Sequence, residues 1–129
     1  MKVLDTCVWI EIILASPTGV QLNGLLADKP SILVPSMVQF ELRRWALREY
    51  EKSRADLIVL ALREAVIVQT GERIAFLAAD LARTYKLHAL DALIYATALE
   101  HGAQLVTVDA HFKDLPQVDY KAKVTETTN

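Results

Sequence analysis

The chain has 129 residues, 53% of them hydrophobic, and a formal net charge of −2 at pH 7. This length is typical of one domain, and the apolar content supports a real core, which excludes an intrinsically disordered chain. The near-neutral charge excludes attraction of nucleic acid by a field of the whole protein, so such a role would need local basic patches.

The sequence also indicates where the protein resides. Its single cysteine excludes an internal disulfide and fits a reducing compartment. No apolar run approaches the length of a membrane-spanning helix, and Asp5 and Glu11 interrupt the apolar N-terminus, which is atypical of a signal peptide. We therefore expect a cytoplasmic protein with no membrane partner.

Short apolar runs alternate with helical patterns along the chain. The patterns predict strands over residues 3–4, 31–35, 65–69, 104–108 and 118–120. They also predict helices over 7–15, 18–27, 71–85 and 90–101, and a long helix that starts at Ser36, with further helix through Leu62. Ser36 is expected to cap its helix, and Gly102 to follow the end of the last one. Apolar strands separated by helices indicate an α/β fold, with a parallel sheet covered on both faces. We predict one domain over residues 1–120 and a polar tail, 121–129, that frays.

Four acidic residues fall at predicted element ends. Asp5 ends the first strand, Glu41 lies in the second turn of the helix after strand two, Asp91 opens the helix before strand four, and Asp109 follows strand four. Because sites form at the carboxyl ends of strands in open parallel sheets, we expect these acids to lie close together.

Each acid also has a purely structural interpretation. Asp91 could be a helix N-cap, Asp109 could begin a turn, and Glu41 could pair with Arg44 or Arg48. Asp5 is hardest to explain in this way. A carboxylate at the edge of a core is unfavourable unless a hydrogen-bond donor, a basic side chain or a metal ion pairs with it. The prediction of a site therefore depends on the four acids occurring together.

Carboxylates packed together repel one another, and a divalent cation would remove the repulsion. Cys7, His88, His101 and His111 do not stand at ligand spacing, so the ion should be hard, Mg²⁺ or Mn²⁺ rather than Zn²⁺. Carboxylate-held Mg²⁺ suits phosphodiester hydrolysis. Since the chain has no glycine-rich loop for a nucleoside triphosphate, a hydrolytic nuclease fits better than a kinase or NTPase.

Three segments, "VLDTCVWI", "PSMVQFELRR" and "LDALIYATALEHGAQLVTVDAHF", resemble the PIN-domain family in sequence and order. The chain is most similar to the small VapC-type toxins of toxin–antitoxin pairs, over residues 2–120. The resemblance implies a three-layer α/β/α sandwich around a central parallel sheet of four to five strands. It also implies a Mg²⁺-dependent endoribonuclease, with Mn²⁺ as a possible substitute, that forms a homodimer and is silenced by a cognate antitoxin.

By this resemblance, specific residues take specific roles. The acidic metal-binding and catalytic positions are matched by Asp5, Glu41, Asp91 and Asp109, and the supporting hydroxyl positions by Thr6 and Thr107. Three positions depart from the common pattern. Cys7 stands where Ser or Asn is frequent, Tyr95 replaces a small residue, and Val108 is uncharged where many relatives are basic.

Other interpretations stay open. Arg44 and Arg48 lie on the same helical stripe as Glu41. They could contact RNA phosphates, or they could simply be exposed side chains on the solvent face of the helix. The chain could also be a PIN-like RNA-binding or scaffolding domain with little catalysis, although four intact acids argue against it. A phosphoacceptor with Asp5 as nucleophile would need a second acid beside Asp5 or a lysine after a later strand, and none follows strand four before Lys113.

Overall fold

The computed structural model describes residues 1–125, in which strands alternate with helices. The strands are β1 (Lys2–Leu4), β2 (Ile32–Pro35), β3 (Val66–Val68), β4 (Gln104–Thr107) and β5 (Val118–Tyr120). The α-helices are α1 (Thr6–Leu14), α2 (Pro17–Leu22), α3 (Ser36–Glu49), α4 (Lys52–Ala61), α5 (Glu72–Tyr85) and α6 (Ala89–Glu100). Short 3-10 helices cover Asn23–Ser31, Leu62–Glu64 and Ala110–Phe112.

All the strands of residues 1–125 join one parallel sheet in the order β3-β2-β1-β4-β5. The chain moves outward from β1 to β3 on one side and then returns to β4 and β5 on the other. Because parallel crossovers are right-handed, the helices before β3 cover one face of the sheet and α5 and α6 cover the other. The predicted three-layer α/β/α architecture is therefore confirmed, and the direction of winding reverses between β1 and β4, where sites form in such sheets.

The register aligns three residues at the carboxyl end of this junction. Leu4 pairs with Val106, and the N–H of Asp5 donates to the carbonyl of Val106 at 2.9 Å, so Asp5 lies beside Thr107. Thr107 in turn pairs with Tyr120 of β5. We call Asp5, Thr107 and Tyr120 the terminal row, since they lie side by side across three neighbouring strands.

Tyr95 has a structural role that explains its departure from the family pattern. Its side chain is fully buried in α6, and its ring packs edge-on against Phe112 at 5.8 Å between centroids. Its hydroxyl donates to the carbonyl of Pro116 at 2.6 Å. The larger residue therefore holds the segment that follows β4 against α6.

Two helix predictions are wrong in detail. Pro35, not Ser36, occupies the N-cap of α3, and the Ser36 hydroxyl lies 3.2 Å from that of Thr70. The long helix predicted from Ser36 is α3, which ends before Tyr50, whose backbone is extended and whose ring packs edge-on against Trp45; the further helix predicted through Leu62 is α4. The predicted helix over 18–27 is α2 followed by a 3-10 segment that contains Pro30, which cannot donate a helical hydrogen bond.

The last described residues lie against the first two helices. The N–H of Val124 donates to the Thr18 hydroxyl at 2.9 Å, and the Lys123 ammonium lies 3.4 Å from the Glu11 carboxylate. Residues 126–129 of the predicted frayed tail lie outside the described residues. Within residues 1–125 no single helix is long and apolar enough to cross a membrane; α1 and residues 17–31 reach that length and composition only as a pair bent by 106°.

Candidate active site

Asp5 joins the end of β1 to the start of α1. Its Oδ1 accepts a hydrogen bond from the N–H of Thr6 at 2.8 Å, which makes Asp5 the N-cap of α1. Its Oδ2 accepts from the Thr107 hydroxyl at 2.8 Å and lies 3.5 Å from the Cys7 thiol. Protein donors therefore pair with this carboxylate, which is only 4% exposed.

These donors do not fully offset the removal of Asp5 from water. Burial raises the pKa of Asp5 to about 6, the hydrogen bond from Thr107 opposes this shift, and the negative charge of Asp91 adds to it. Asp91 therefore lies close enough to Asp5 to disfavour its ionised form.

Asp91 is the third residue of α6, while His88 occupies the N-cap, so the N-cap interpretation of Asp91 is wrong. Burial raises the pKa of Asp91, and the charges of Asp109 and Glu41 raise it further. His88 and His111 act on the pKa of Asp91 in the opposite direction. The structure thus places all four predicted acids at the same edge of the sheet, with Asp91 within electrostatic reach of the other three.

Glu41 faces this site from α3. Its Oε1 accepts a hydrogen bond from the Thr6 hydroxyl at 2.8 Å. The arginines that could have paired with it are engaged elsewhere. The Arg44 guanidinium lies 5.2 Å from the ring centroid of Phe40, and Nε of Arg48 lies 3.6 Å from the Glu49 carboxylate. The interpretation of Glu41 as part of a surface ion-pair ladder is therefore wrong.

Asp109 follows β4 and begins a turn, as its structural interpretation predicted. Its Oδ1 accepts from the N–H of His111 at 2.9 Å and lies 2.8 Å from Nδ1 of the His111 ring. Its own N–H donates to the Thr107 hydroxyl at 3.0 Å. Thr107 therefore holds Asp5 and Asp109 together, and the turn is compatible with a site.

Two residues of the site were missed by the sequence analysis. Burial, together with the charge of Asp5, raises the pKa of the Cys7 thiol to about 12, so Cys7 is a neutral weak donor beside Asp5. His111 contacts Asp109 with both its backbone and its ring. The spacing Asp-x-His was the available signal, since an Asp that caps a turn bonds the residue two positions on.

The site suits a hard cation in its chemistry, because its donors are carboxylate and hydroxyl oxygens whose charges repel. Within residues 1–125, however, no three Asp, Glu, His or Cys side chains meet at the spacing that holds one ion. Thr6 binds the Glu41 carboxylate and His111 binds that of Asp109. Ligation by these two acids would require them to exchange those contacts for the ion.

With this geometry established, similarity to known proteins decides the family. The sequence profile of the PIN domain matches residues 2–118. This chain belongs to the PIN-domain family. The match confirms the family that the three sequence segments indicated. No curated protein sequence matches this PIN domain.

Solved structures share the fold of this PIN domain. A toxin–antitoxin complex from Klebsiella pneumoniae has a TM-score of 0.78 at 26% identity, covering 92% of this chain and 96% of that chain. VapBC2 from Rickettsia felis, bound to a promoter DNA fragment, has a TM-score of 0.74 at 23% identity and coverages of 94% and 97%. Mycobacterium tuberculosis VapC20, described as a sarcin–ricin loop cleaving toxin, has a TM-score of 0.71 at 17% identity and coverages of 90% and 95%. These structures therefore share the PIN fold over at least 90% of the chain.

Proposed function

We propose that this PIN domain is a Mg²⁺-dependent endoribonuclease that hydrolyses RNA phosphodiester bonds, as the toxin of a type II toxin–antitoxin pair. One observation carries the proposal. At the carboxyl edge of a PIN fold, burial raises the pKa of both Asp91 and Asp5; the charges of Asp109 and Glu41 add to the shift of Asp91, and the charge of Asp91 adds to that of Asp5. Repulsion of this kind between charges of one sign is what a divalent cation relieves.

The residues proposed to hold Mg²⁺, or Mn²⁺ in its place, are Asp5, Glu41, Asp91 and Asp109. When bound, such an ion supplies an acid for the phosphodiester oxygens and activates water. The chain itself holds these acids in place. The Thr107 hydroxyl donates to Oδ2 of Asp5 and accepts from the N–H of Asp109, so it links the two residues. Thr6 fixes Oδ1 of Asp5 through its N–H and holds Glu41 through its hydroxyl.

We further propose a cognate antitoxin as the partner, since structures similar to this chain include toxin–antitoxin complexes. A homodimer and a cytoplasmic location complete the proposal. A short reading frame for a DNA-binding protein beside this one, whose product co-purifies with the chain, would support the pairing. Purification as a single unpartnered chain from cells that express both frames would contradict it.

Cleavage of single-stranded RNA by the purified chain tests the enzymatic proposal. We expect products with Mg²⁺ or Mn²⁺ and none in excess chelator. Asp91→Asn should abolish cleavage, whereas Asp80→Asn should not, because Asp80 is an exposed acid on α5. Full activity in excess chelator would contradict the metal mechanism.

A second candidate is a PIN-like domain that binds RNA with little catalysis. The observation in its favour is that, in the described residues, no three acids meet at ligand spacing. Titration calorimetry with Mn²⁺ separates the two candidates, because only the first requires a metal complex that Asp91→Asn weakens.

The phosphoacceptor interpretation has less support. It needs a lysine near Asp5, and the Lys113 ammonium instead lies over the Tyr120 ring, 5.9 Å from its centroid.

A further inference from the structure

The terminal row extends beyond the four acids to Tyr120, at the end of β5. Thr107, which donates to Asp5, is the register partner of Tyr120, and the N–H of Lys121 donates to the Thr107 carbonyl at 2.8 Å. Neighbouring strands lie about 4.8 Å apart, so the backbone of Tyr120 is roughly 10 Å from that of Asp5. A nucleotide next to a phosphodiester at the acids could reach this position.

A cleft of about 440 Å³ opens beside Tyr120. One wall is formed by Tyr120 and Lys121, and the other by Gln21, Leu22 and Leu25 from α2 and the following 3-10 helix. The volume lies within the range of small-molecule sites. The lining is mixed: the Tyr120 ring and the leucines suit the faces of a nucleobase, and the exposed amide of Gln21 can both donate to and accept from the edge of a base.

Beside the cleft, the Lys113 ammonium offers a contact to a ligand that carries phosphate, whereas the charge of Lys121 is paired with Asp119. The exposed Lys113 places its ammonium 5.9 Å from the ring centroid of Tyr120, and the Lys121 ammonium lies at the same strand end, 3.5 Å from Asp119. An aromatic ring beside lysines is the combination with which proteins hold single-stranded nucleic acid, through base stacking and phosphate contacts.

We propose that this cleft, the Tyr120 cleft, binds an unpaired nucleobase of the RNA substrate adjacent to the reacting phosphodiester. The base stacks on the Tyr120 ring, and Lys113 contacts the phosphate of the same nucleotide. The proposal rests on the RNA-cleaving function proposed above and adds a determinant of its sequence preference. Tyr120 is then a specificity-determining residue, because the base that fits the cleft fixes which bond lies at the acids.

Binding of two oligomers of equal charge tests the stacking. One is a labelled oligoadenylate of about ten nucleotides, and the other is an abasic ribose phosphate of the same length, both in excess chelator to prevent cleavage. Tyr120→Ala should weaken oligoadenylate binding roughly 5- to 100-fold, the loss expected for one base stack, and leave abasic binding unchanged. Tyr120→Phe should bind as the wild type does, because it retains the ring.

Tyr50→Ala is the matched control. Tyr50 also carries a cation over its ring, with the Arg54 guanidinium 4.7 Å from the centroid, but it lies at the end of α3 and outside the terminal row. We expect its RNA binding to equal that of the wild type.

Should Tyr120→Ala fail to fold, the wild type still tests the proposal with 2-aminopurine placed at successive positions of the oligomer. Quenching confined to one position supports a single stacking site, and uniform fluorescence would overturn it.

Equal losses for both oligomers, or unchanged binding by Tyr120→Ala, would overturn the Tyr120 cleft. An acidic peptide that binds the wild type and not Tyr120→Ala, with RNA binding unaffected, would also overturn it and assign the cleft to a protein partner.

Mg²⁺-dependent cleavage by the wild type is a separate readout. If cleavage occurs and Tyr120→Ala changes neither binding nor cut positions, only the cleft proposal fails. If base-dependent binding is lost in Tyr120→Ala but the wild type never cleaves, only the enzymatic proposal fails.

Discussion

Asp5 serves two purposes that make opposing demands on a carboxylate. As the N-cap of α1 it is bonded by a backbone N–H and two side chains, which requires a buried position. As a proposed metal ligand it must carry charge, and burial disfavours the charged form. The cap therefore positions the acid at a cost in stability at neutral pH that a bound cation would remove.

Replacing Asp5 with Asn should separate these two purposes. In the unfolded chain Asp5 ionises near the ordinary pKa of 3.8, whereas burial raises the pKa of folded Asp5 to about 6. Asp5 therefore reduces the free energy of unfolding progressively as the pH rises from 3.8 to about 6, and fully above that. The shift of about two units corresponds to roughly 3 kcal/mol, part of which Asn forfeits through weaker hydrogen bonds. We expect Asp5→Asn without metal to be about 1–2 kcal/mol more stable than the wild type at neutral pH.

Urea melts in chelator across acidic to neutral pH measure this effect. The difference between Asp5→Asn and the wild type should vanish below the ordinary pKa of Asp5 and grow above it, while Asp80→Asn should show no such growth. Cleavage by Asp5→Asn should be abolished. A less stable Asp5→Asn at neutral pH would mean that the donors around Asp5 outweigh the cost of its burial, which would contradict the prediction.

At the scale of elements, the position of α1 depends on how closely α2 crosses it. A Cβ built on Gly19 would lie 1.9 Å from the carbonyl oxygen of Glu11, so only glycine permits this approach. The N–H of Gly19 also donates to the Ser16 hydroxyl at 3.0 Å, which caps α2. Because α1 begins with Thr6 and Cys7, the crossing helps to place two residues of the site.

We expect Gly19→Ala to reduce the free energy of unfolding by about 3 kcal/mol or more, since backbone must move to admit the methyl group. Gly24→Ala is the matched control in the next segment, where among the described residues nothing lies within 4 Å of the added Cβ. It should change stability by less than about 1 kcal/mol. Chemical denaturation of both variants measures the contrast, and equal stabilities would show that α1 and α2 can separate freely.

The exposed side of α3 carries the arginines predicted to contact RNA. Neither Arg44 nor Arg48 contacts Glu41; both are exposed, with Arg44 over the Phe40 ring and Arg48 beside the Glu49 carboxylate. Each phosphate contact adds roughly 0.7 to the slope of log affinity against log salt for single strands. Arg44→Ala combined with Arg48→Ala should therefore weaken RNA binding and reduce the slope by about 1.4.

Arg73→Ala combined with Arg83→Ala is the control for that measurement, because it removes the same charge from α5 on the opposite face of the sheet. Its salt slope should equal that of the wild type. If both double variants lower the salt slope equally, the effect is due to net charge, and Arg44 and Arg48 do not contact RNA phosphates specifically.

At the scale of the whole molecule, the cation proposed to bind acids from four separate chain segments would stabilise the fold, because the unfolded chain cannot hold it. A ligand at a hundred times its Kd raises the free energy of unfolding by about 2.7 kcal/mol. We expect Mn²⁺ to raise the Tm of the wild type and of Asp80→Asn, and to leave that of Asp91→Asn unchanged. Thermal melts with and without Mn²⁺ check this, and an equal rise in all three would place the ion outside the four acids.

The sequence by itself determined the elements and their order. Apolar runs of strand length, separated by amphipathic stretches, are local signals, and they predicted the strands of the sheet to within two residues at either end. The order of elements implied parallel strands, and Asp5 and Asp109 at strand ends predicted the edge at which the acids lie. Local spacing was sufficient because each of these features depends on neighbours in the chain.

Only the tertiary structure decided what each acid contacts. Thr107 and Asp5 are 102 positions apart, and Thr6 and Glu41 are 35 apart, so no local pattern pairs them. The end of α3 at Tyr50 likewise depends on packing that its helical sequence does not reveal. The place of Tyr120 in the terminal row is a matter of strand register. These hydrogen bonds, the burial of the acids and the strand register all depend on residues that are distant in the chain. They are therefore set only when the sheet assembles.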